Sequence, residues 1–173
     1  MGMPCNTAHS EAILAPALER LRASGHKVRF IHMIEATIGF LQTHYPQAKK
    51  VAIFCTKGAF ASGVFTKPFE TSGYTVMYPD AQGRNNVQNA ISNRDYGIKA
   101  FSDPVTDKAR LLLRTQALSF KENRADIILM GCTEVPLALK REDCEGIPLI
   151  DPTKVLARAL VKAFAPERLR PLA

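Results

Sequence analysis

The stretch VAIFC at residues 51–55 is apolar at every position, and DIILM at residues 126–130 is apolar after its first residue. A strand that helices cover on both faces of a parallel sheet is continuously apolar, whereas a strand with one face in water alternates. Both stretches are therefore predicted to be inner strands of a parallel sheet. This sheet decides the fold, because the rest of the chain must supply the helices that cover it.

Further strands and helices alternate on either side of these two stretches. Residues 2–5 have the pattern of the end of a strand, and short strands are predicted at 28–31, 75–78 and 148–150. Helices are predicted in the segments between them: 10–23, 35–44, 63 to about 72, the surroundings of Val87 and Ile91, 103 onward, and 151 to about 164. This alternation is typical of an α/β fold with a mainly parallel sheet flanked by helices.

Two Asp-Pro pairs mark predicted helix starts. Asp caps the free N–H groups of a first turn, and Pro is well suited to the first helical position. Asp103-Pro104 is predicted to begin a long helix, and Asp151-Pro152 is predicted to begin the last one. The apolar side of the long helix is assigned to Leu111, Leu112, Leu118 and Phe120.

Composition restricts the classes of function. The chain has 173 residues, a net charge of +7 and an apolar fraction of 46%, which are values typical of a globular protein. Because the basic residues are scattered, no nucleic-acid partner is predicted. No apolar run reaches the ~18 residues of a membrane span, and the start lacks a signal-peptide pattern, so we expect no membrane partner and a cytoplasmic location. A basic surface favours anionic small molecules through long-range attraction.

The four cysteines are Cys5, Cys55, Cys132 and Cys144. They form no Cys-x-x-Cys pair and suggest no zinc site, so no metal is predicted. A cytosolic setting argues against structural disulfides. Cys55 ends an apolar run and is expected in the core. Cys144 lies among charged residues, where we expect a loop whose acidic neighbours disfavour a thiolate.

Cys5 and Cys132 lie in two similar segments, MPCNTAH at residues 3–9 and MGCTE at residues 130–134. Each cysteine is predicted at the carboxyl end of a strand, where sites form in α/β sheets, and just before a helix. The helix dipole is expected to lower the pKa of such a thiol towards neutrality. Either cysteine alone fits a buried core residue, but the pair favours function. A thiolate on one face of a carbon with an acidic hydrogen and a thiol on the other can invert that carbon, and neither step requires a cofactor.

The two segments resemble the two active-site motifs of the aspartate/glutamate racemase family. Four further segments resemble the family as well: MIE at 33–35, TKGAFASGVF at 56–65, GIKA at 97–100 and LIDPT at 149–153. The resemblance implies a cofactor-independent enzyme in which Cys5 and Cys132 are the two acid/base groups. It implies supporting roles near the thiols for His9 and Glu134. The contacts it implies for the substrate's carboxylates are Asn6, Thr7, Thr56, Lys99 and Thr133.

The resemblance also implies two similar α/β lobes with the site between them. Residues 46–134 would form the second lobe, and residues 1–45 with 135–173 would form an incomplete first lobe. Family members carry a sizeable segment before the first cysteine motif, which supplies the first strand and an arginine for the distal carboxylate. We therefore expect a fragment, a late-start gene product or a shortened family member, with an exposed sheet edge that invites pairing with another chain.

Two residues depart from the family pattern. Ala59 replaces a hydroxyl residue and removes one donor, and Phe65 replaces a tyrosine, which we interpret as a packing change. Family members are commonly dimers, so a homodimer is expected.

The sequence thus predicts racemisation of an acidic amino acid, aspartate or glutamate, by a two-base mechanism. Two alternatives stay open. The first is a related cysteine-dependent enzyme of the same fold that isomerises maleate, racemises hydantoins or decarboxylates arylmalonates. The second is a truncated, inactive binding module.

Overall fold

The computed structural model describes residues 1–172, and its strands form a parallel sheet in the order β2-β1-β3-β4. The strands are β1 (Lys50–Phe54), β2 (Thr75–Met77), β3 (Ile127–Met130) and β4 (Leu149–Ile150). The central pair, β1 and β3, runs in register from Val51 opposite Ile127 to Phe54 opposite Met130. The prediction that these two stretches are inner strands is confirmed.

Helices connect the strands and cover both faces of the sheet. They are α1 (Glu11–Ala23), α2 (Met33–His44), α3 (Lys57–Ala61), α4 (Thr66–Thr71), α5 (Ala81–Ser92), α6 (Asp107–Glu122), α7 (Val135–Ala138) and α8 (Pro152–Phe164), with 3₁₀-helices at Thr7–His9, Arg141–Cys144 and Pro166–Arg168. The predicted α/β fold with a parallel sheet is confirmed.

The core consists of two apolar clusters, one on each face of the sheet. Alternate strand residues point to opposite clusters, so that Ile53 belongs to one and Phe54 to the other. On one face the cover comes from α5, α6 and α7, and on the other from α2, α4 and α8. The inner strands are continuously apolar because both of their faces are covered in this way.

The two predicted Asp-Pro helix starts have different outcomes. Asp151 caps α8 as predicted, since its Oδ1 accepts a hydrogen bond from the Thr153 N–H at 2.8 Å. The prediction for Asp103 is wrong, because α6 begins only at Asp107. Its cap is Thr106, whose hydroxyl oxygen accepts from the Ala109 N–H at 3.2 Å and whose hydroxyl group donates to the Tyr96 carbonyl at 2.6 Å.

The buried face of α6 also differs from the predicted one. Leu111 is 64% exposed and Leu118 is 40% exposed, whereas Phe120 is buried as predicted and Leu112 is partly buried against the core. The residues that α6 buries are Ala109, Leu113, Ala117 and Phe120. Their spacing of three and four residues places them in one stripe that faces the sheet. The small Ala side chains in this stripe allow α6 to approach the strands, which is why the bulkier leucines beside it point outward.

The N-terminal strands are much shorter than predicted. Residues 2–5 and 28–31 pair only through a parallel bridge between Gly2 and Ile31. The Met1 carbonyl accepts a 2.8 Å hydrogen bond from the Ile31 N–H. A Cβ at Gly2 would lie 2.9 Å from Leu156 Cδ1, so the absence of a side chain allows this segment to pack on α8.

The predicted division into two lobes stays a prediction. In the structure, β4 comes from the range assigned to the first lobe but pairs with β3 of the second, with Ile128 opposite Leu149. Helix α8 follows β4 directly and packs on α2, which also belongs to the first range. Within residues 1–172, no helix has both the length and the apolar character that crossing a membrane requires.

Candidate active site

The carboxyl edge of the sheet brings together residues from β1 and β3. Phe54 of β1 pairs with Met130 of β3. Thr56 and Cys132 each follow these paired residues by two positions, so both lie at the same edge of the sheet. Gly131 lies between β3 and Cys132, and a Cβ there would lie 2.7 Å from Phe65 Cζ and 2.9 Å from the Phe54 carbonyl oxygen. Only glycine therefore allows the chain to pass so close to β1 on its way to Cys132.

Four of the predicted site residues form one contact cluster at this edge, and Glu134 is its centre. Its Oε2 accepts hydrogen bonds from Cys132 Sγ and from Thr133 Oγ1, both at 2.9 Å. Its Oε1 lies 3.7 Å from Lys99 Nζ. A thiol, a hydroxyl and a cation thus meet on one carboxylate.

Lys99 reaches this cluster because the chain folds back after α5. The Ile98 N–H donates to the Ala90 carbonyl at 2.9 Å, and the Lys99 N–H donates to the Ile91 carbonyl at 3.0 Å. A Cβ at Gly97 would come within 2.6 Å of the Asn93 backbone, so this return also requires glycine.

The pKa of Cys132 is raised to about 12, which contradicts the prediction of a thiol close to neutral pKa. Burial is the largest cause, followed by the hydrogen bond and the negative charge of the Glu134 side chain. The Glu134 backbone N–H and then Lys99 oppose them only partly. The dipole of α7 is too small to reverse this balance, because the helix has only four residues and its N-cap is Glu134. Burial acts to raise the pKa of Glu134, but its hydrogen bonds from Cys132 and Thr133 hold that pKa below the usual range.

The segment around Cys5 is built differently. The Cys5 side chain is exposed, and Thr7 begins the 3₁₀-helix that ends at His9. His9 Nε2 lies 2.9 Å from the Met3 carbonyl oxygen, which fixes the fold of the segment. Burial lowers the pKa of His9. A neutral ring then donates from Nε2 and leaves Nδ1 as an acceptor that has no partner within residues 1–172.

Asn6 is the most unusual polar residue of the candidate site. Its side chain is only 3% exposed, and neither its amide nitrogen nor its amide oxygen has a hydrogen-bond partner within the described residues. A buried amide without partners costs about 1–3 kcal/mol. This arrangement suits a residue whose partner is a bound ligand.

Thr56, Cys55 and Cys144 lie outside the contact cluster and have local structural roles. Thr56 caps α3, because its hydroxyl oxygen accepts from the Ala59 N–H at 3.3 Å. Cys55 is buried as predicted. Cys144 was expected in a loop, but it ends a 3₁₀-helix and is buried. The pKa of its thiol is raised to about 12, first by burial and then by Asp143.

A cleft of about 540 Å³ lies between the first 35 residues and the start of α4. Its wall includes His9 and His32, whose rings are 4.4 Å apart and meet edge to face. His32 is not among the site residues predicted from the sequence. The feature that could have indicated His32 is its position at the N-cap of α2, where its Nδ1 accepts a hydrogen bond from the Glu35 N–H at 3.4 Å.

Within residues 1–172, no three His, Cys, Asp or Glu side chains are grouped so that they could hold a metal ion.

The family model for Asp/Glu/Hydantoin racemase matches residues 3–160. The chain belongs to this family. The match includes both cysteine segments and every predicted site residue, and it runs from Met3 into α8.

Solved structures of family members have the same fold. An aspartate racemase from Picrophilus torridus is 26% identical with a TM-score of 0.69, and the match covers 94% of this chain and 60% of that one. An aspartate racemase homologue from Pyrococcus horikoshii is 18% identical with a TM-score of 0.72, covering 94% and 65%. A glutamate racemase from Francisella tularensis, solved in complex with D-glutamate, is 15% identical with a TM-score of 0.64, covering 99% and 59%. The chain therefore spans about three fifths of the length of these racemases.

Proposed function

We propose that this family member racemises an acidic amino acid, with aspartate and glutamate as the candidate substrates. The observation that carries the proposal is the contact of Cys132, Glu134 and Lys99 at the carboxyl edge of the sheet. In this contact a thiol and a cation share one carboxylate, and the proposal assigns acid/base catalysis to the thiol and binding of a substrate carboxylate to the cation. The related structures named as aspartate and glutamate racemases support the same class of reaction.

The proposed reaction needs two opposed thiols, Cys5 and Cys132. One sulfur, as thiolate, takes the proton from Cα, and the electron pair of the broken C–H bond stays on the substrate as a carbanion stabilised by its carboxylate. The other sulfur, as thiol, gives its proton to the opposite face and becomes the thiolate. One C–H bond breaks and one forms without net oxidation, so the scheme requires no redox cofactor.

The remaining residues are proposed to hold the substrate. Lys99 is the cation for a side-chain carboxylate, and the unpartnered amide of Asn6 supplies a donor and an acceptor. The hydroxyl groups of Thr7, Thr56 and Thr133 are also assigned to binding the substrate. Glu134 and His9 act on the thiols and on the segment that carries Cys5. A homodimer and a cytoplasmic location remain predictions from the sequence.

Incubation with each enantiomer of aspartate and glutamate in D₂O tests the proposal. We expect racemisation by chiral chromatography and deuterium at Cα by NMR. Cys5→Ser and Cys132→Ser should each lower the rate by at least about 10²-fold, the usual contribution of one acid/base group. Cys144→Ala is the matched control, because it removes a thiol that lies outside the cluster, and it should leave the rate unchanged.

Four outcomes would reject parts of this scheme. Wild-type rates in both serine variants would refute the two-base mechanism. Racemisation of a hydantoin but not of the amino acids would replace the substrate class. Isomerisation of maleate or decarboxylation of an arylmalonate would replace the reaction. Binding of aspartate without exchange, by folded protein, would identify a binding module.

A further inference from the structure

The C-terminal part of α5 is bonded to two of the segments that are assigned to substrate binding. The Lys99 N–H donates to the Ile91 carbonyl at 3.0 Å, which ties the turn that carries Lys99 to the helix. The Lys57 N–H donates to the side-chain oxygen of Gln88 at 2.8 Å, and Lys57 directly follows Thr56. Three helical positions correspond to a rise of about 4.5 Å, so one short piece of α5 contacts both segments.

This part of α5 is a fixed frame because its inner face belongs to the core. Val87, Ala90 and Ile91 are buried in the apolar cluster on one face of the sheet. Side chains in such a cluster are close-packed and leave the helix little room to shift. The backbone bond from Lys99 to Ile91 therefore fixes the turn of Lys99 relative to the core.

The segment of Thr56 has less support of its own. It begins α3, which has only five residues, and so short a helix is stable only through contacts with the rest of the fold. The first N–H groups of a helix have no partner inside it. Thr56 Oγ1 accepts from the Ala59 N–H at the long distance of 3.3 Å, whereas the Lys57 N–H depends on Gln88. A hydroxyl group that accepts a bond still has a hydrogen to donate, so Thr56 keeps a donor for a ligand.

The Gln88 amide is oriented for this contact. Its Nε2 donates to Ser92 Oγ at 2.9 Å, one turn further along α5. The amide oxygen is thereby directed to the Lys57 N–H, and the chain of two bonds runs from the start of α3 to the end of α5.

We propose that Gln88 is a positioning residue that holds Thr56 at a set spacing from Lys99, and that this spacing selects between aspartate and glutamate. The inference rests on the proposed racemase function and deepens it. Gln88 acts through the backbone next to Thr56. The two acids differ by one methylene group between their carboxylates, so two fixed contacts fit one length better than the other. One methylene group is typically worth about 10–200-fold in specificity.

Gln88→Met tests the proposal, because it keeps the length of the side chain and removes both of its hydrogen bonds. Amide hydrogen exchange, measured by NMR on ¹⁵N-labelled protein, reports on the two segments separately. We expect the Lys57 amide to exchange at least about threefold faster than in the wild type. The Lys99 amide should be unchanged, since its bond to Ile91 does not involve Gln88.

Kinetics with both acids measure the effect on specificity. In Gln88→Met the KM of the better substrate should rise while kcat changes little, because a contact common to the ground and transition states is weakened. The ratio of kcat/KM between aspartate and glutamate should fall by at least about threefold, since a looser frame discriminates less between the two lengths.

Two further variants make the result specific. Gln82→Met is the matched control, because Gln82 also donates to a residue four positions further along α5, Asn86 at 3.2 Å, but makes this bond within the helix. It should change neither the exchange rates nor the ratio. Gln88→Glu keeps an acceptor for the Lys57 N–H and for the Ser92 hydroxyl group. It should restore slow exchange and the wild-type ratio, since its charge acts on both substrates alike.

Three results would overturn the proposal: unchanged exchange at Lys57 in folded Gln88→Met, an unchanged ratio of kcat/KM in that variant, or equal acceleration at Lys57 and Lys99, which would indicate a general loosening of α5. A wild type that racemises neither acid would instead refute the proposed function. The exchange rates of the two amides would still decide whether Gln88 holds the spacing, because they do not depend on turnover.

Discussion

Gly131→Ala tests whether the close passage of the chain from β3 to Cys132 limits the site. The new Cβ would lie 2.7 Å from Phe65 Cζ and 2.9 Å from the Phe54 carbonyl oxygen, both closer than folded proteins tolerate. The Phe65 ring is fully buried and cannot turn towards water. The Phe54 carbonyl belongs to the backbone of β1, which at this position is paired with Met130 of β3.

The expected cost follows from these contacts. Inserting one methyl group into a closely packed site destabilises a protein by about 1–3 kcal/mol. Gly58→Ala in α3 is the matched control, because nothing lies within 4 Å of its Cβ position and its backbone is helical. Alanine in a helix is favoured over glycine by about 0.5–1 kcal/mol, so this variant should be neutral or slightly more stable.

Urea unfolding followed by circular dichroism measures both variants against the wild type. Combining Phe65→Leu with Gly131→Ala removes the clash with Phe65 Cζ but leaves the contact with the Phe54 carbonyl. The double variant should therefore lose less free energy of unfolding than the sum of the losses in the two single variants. The pair would then show a coupling energy of about 0.5 kcal/mol or more. A Gly131→Ala variant as stable as Gly58→Ala would refute the reasoning, because the local backbone would then have room to move.

Two further predictions concern aspartates outside the site. Asp151→Ala should lower the free energy of unfolding by about 1 kcal/mol because it removes the cap of α8, whereas Asp103→Ala should have no measurable effect; equal losses in urea unfolding would contradict the assignment. Asp126 accepts hydrogen bonds from the Lys50 and Lys49 N–H groups, which lower its pKa from 3.8. A carboxyl group whose pKa is lower in the folded than in the unfolded state stabilises the fold at pH values above its unfolded-state pKa. This contribution is lost as the pH falls through the folded-state pKa. The difference in free energy of unfolding between the wild type and Asp126→Asn should therefore be largest at pH 6 and decrease below about pH 4. A difference that does not change with pH would contradict this prediction.

The inner strands could be predicted from the sequence because their signal is local. Continuous apolar runs at β1 and β3 are required by burial on both faces, and no other part of the chain is needed to interpret them. The cap at Asp151 was predictable for the same reason. At Asp103 the local pattern is the same, but Thr106 bonds to the distant Tyr96 carbonyl and begins the helix instead. That contact depends on the tertiary fold, which a dipeptide pattern does not contain.

The buried face of α6 shows the same limit. Leu111 and Leu118 are more apolar than Ala109 and Ala117, so composition alone points to the wrong side of the helix. Packing against the strands depends on how closely the helix approaches them, and small residues decide that distance. The residues of the candidate site also differ in how far they can be predicted from the sequence. The cysteines stand out in the sequence, but Lys99 is one of many basic residues until the turn after α5 brings it to Glu134.

The contact between Cys132 and Glu134 illustrates why residue types alone do not determine the chemistry of the site. The position of Cys132 at the end of β3 and before a helix predicts a reactive thiolate, and the same segment supplies the carboxylate that opposes it. The outcome depends on where the Glu134 side chain points, since Oε2 reaches the thiol at 2.9 Å while Oε1 faces Lys99. At the other cysteine, the neighbouring Asn6 amide is buried with no partner in the described chain. The residues around Cys132 are therefore satisfied by one another, whereas the segment around Cys5 has buried polar groups without a partner in the described chain. A substrate that bound Asn6 and Lys99 together would supply the missing partners around Asn6 and compete with Glu134 for Lys99.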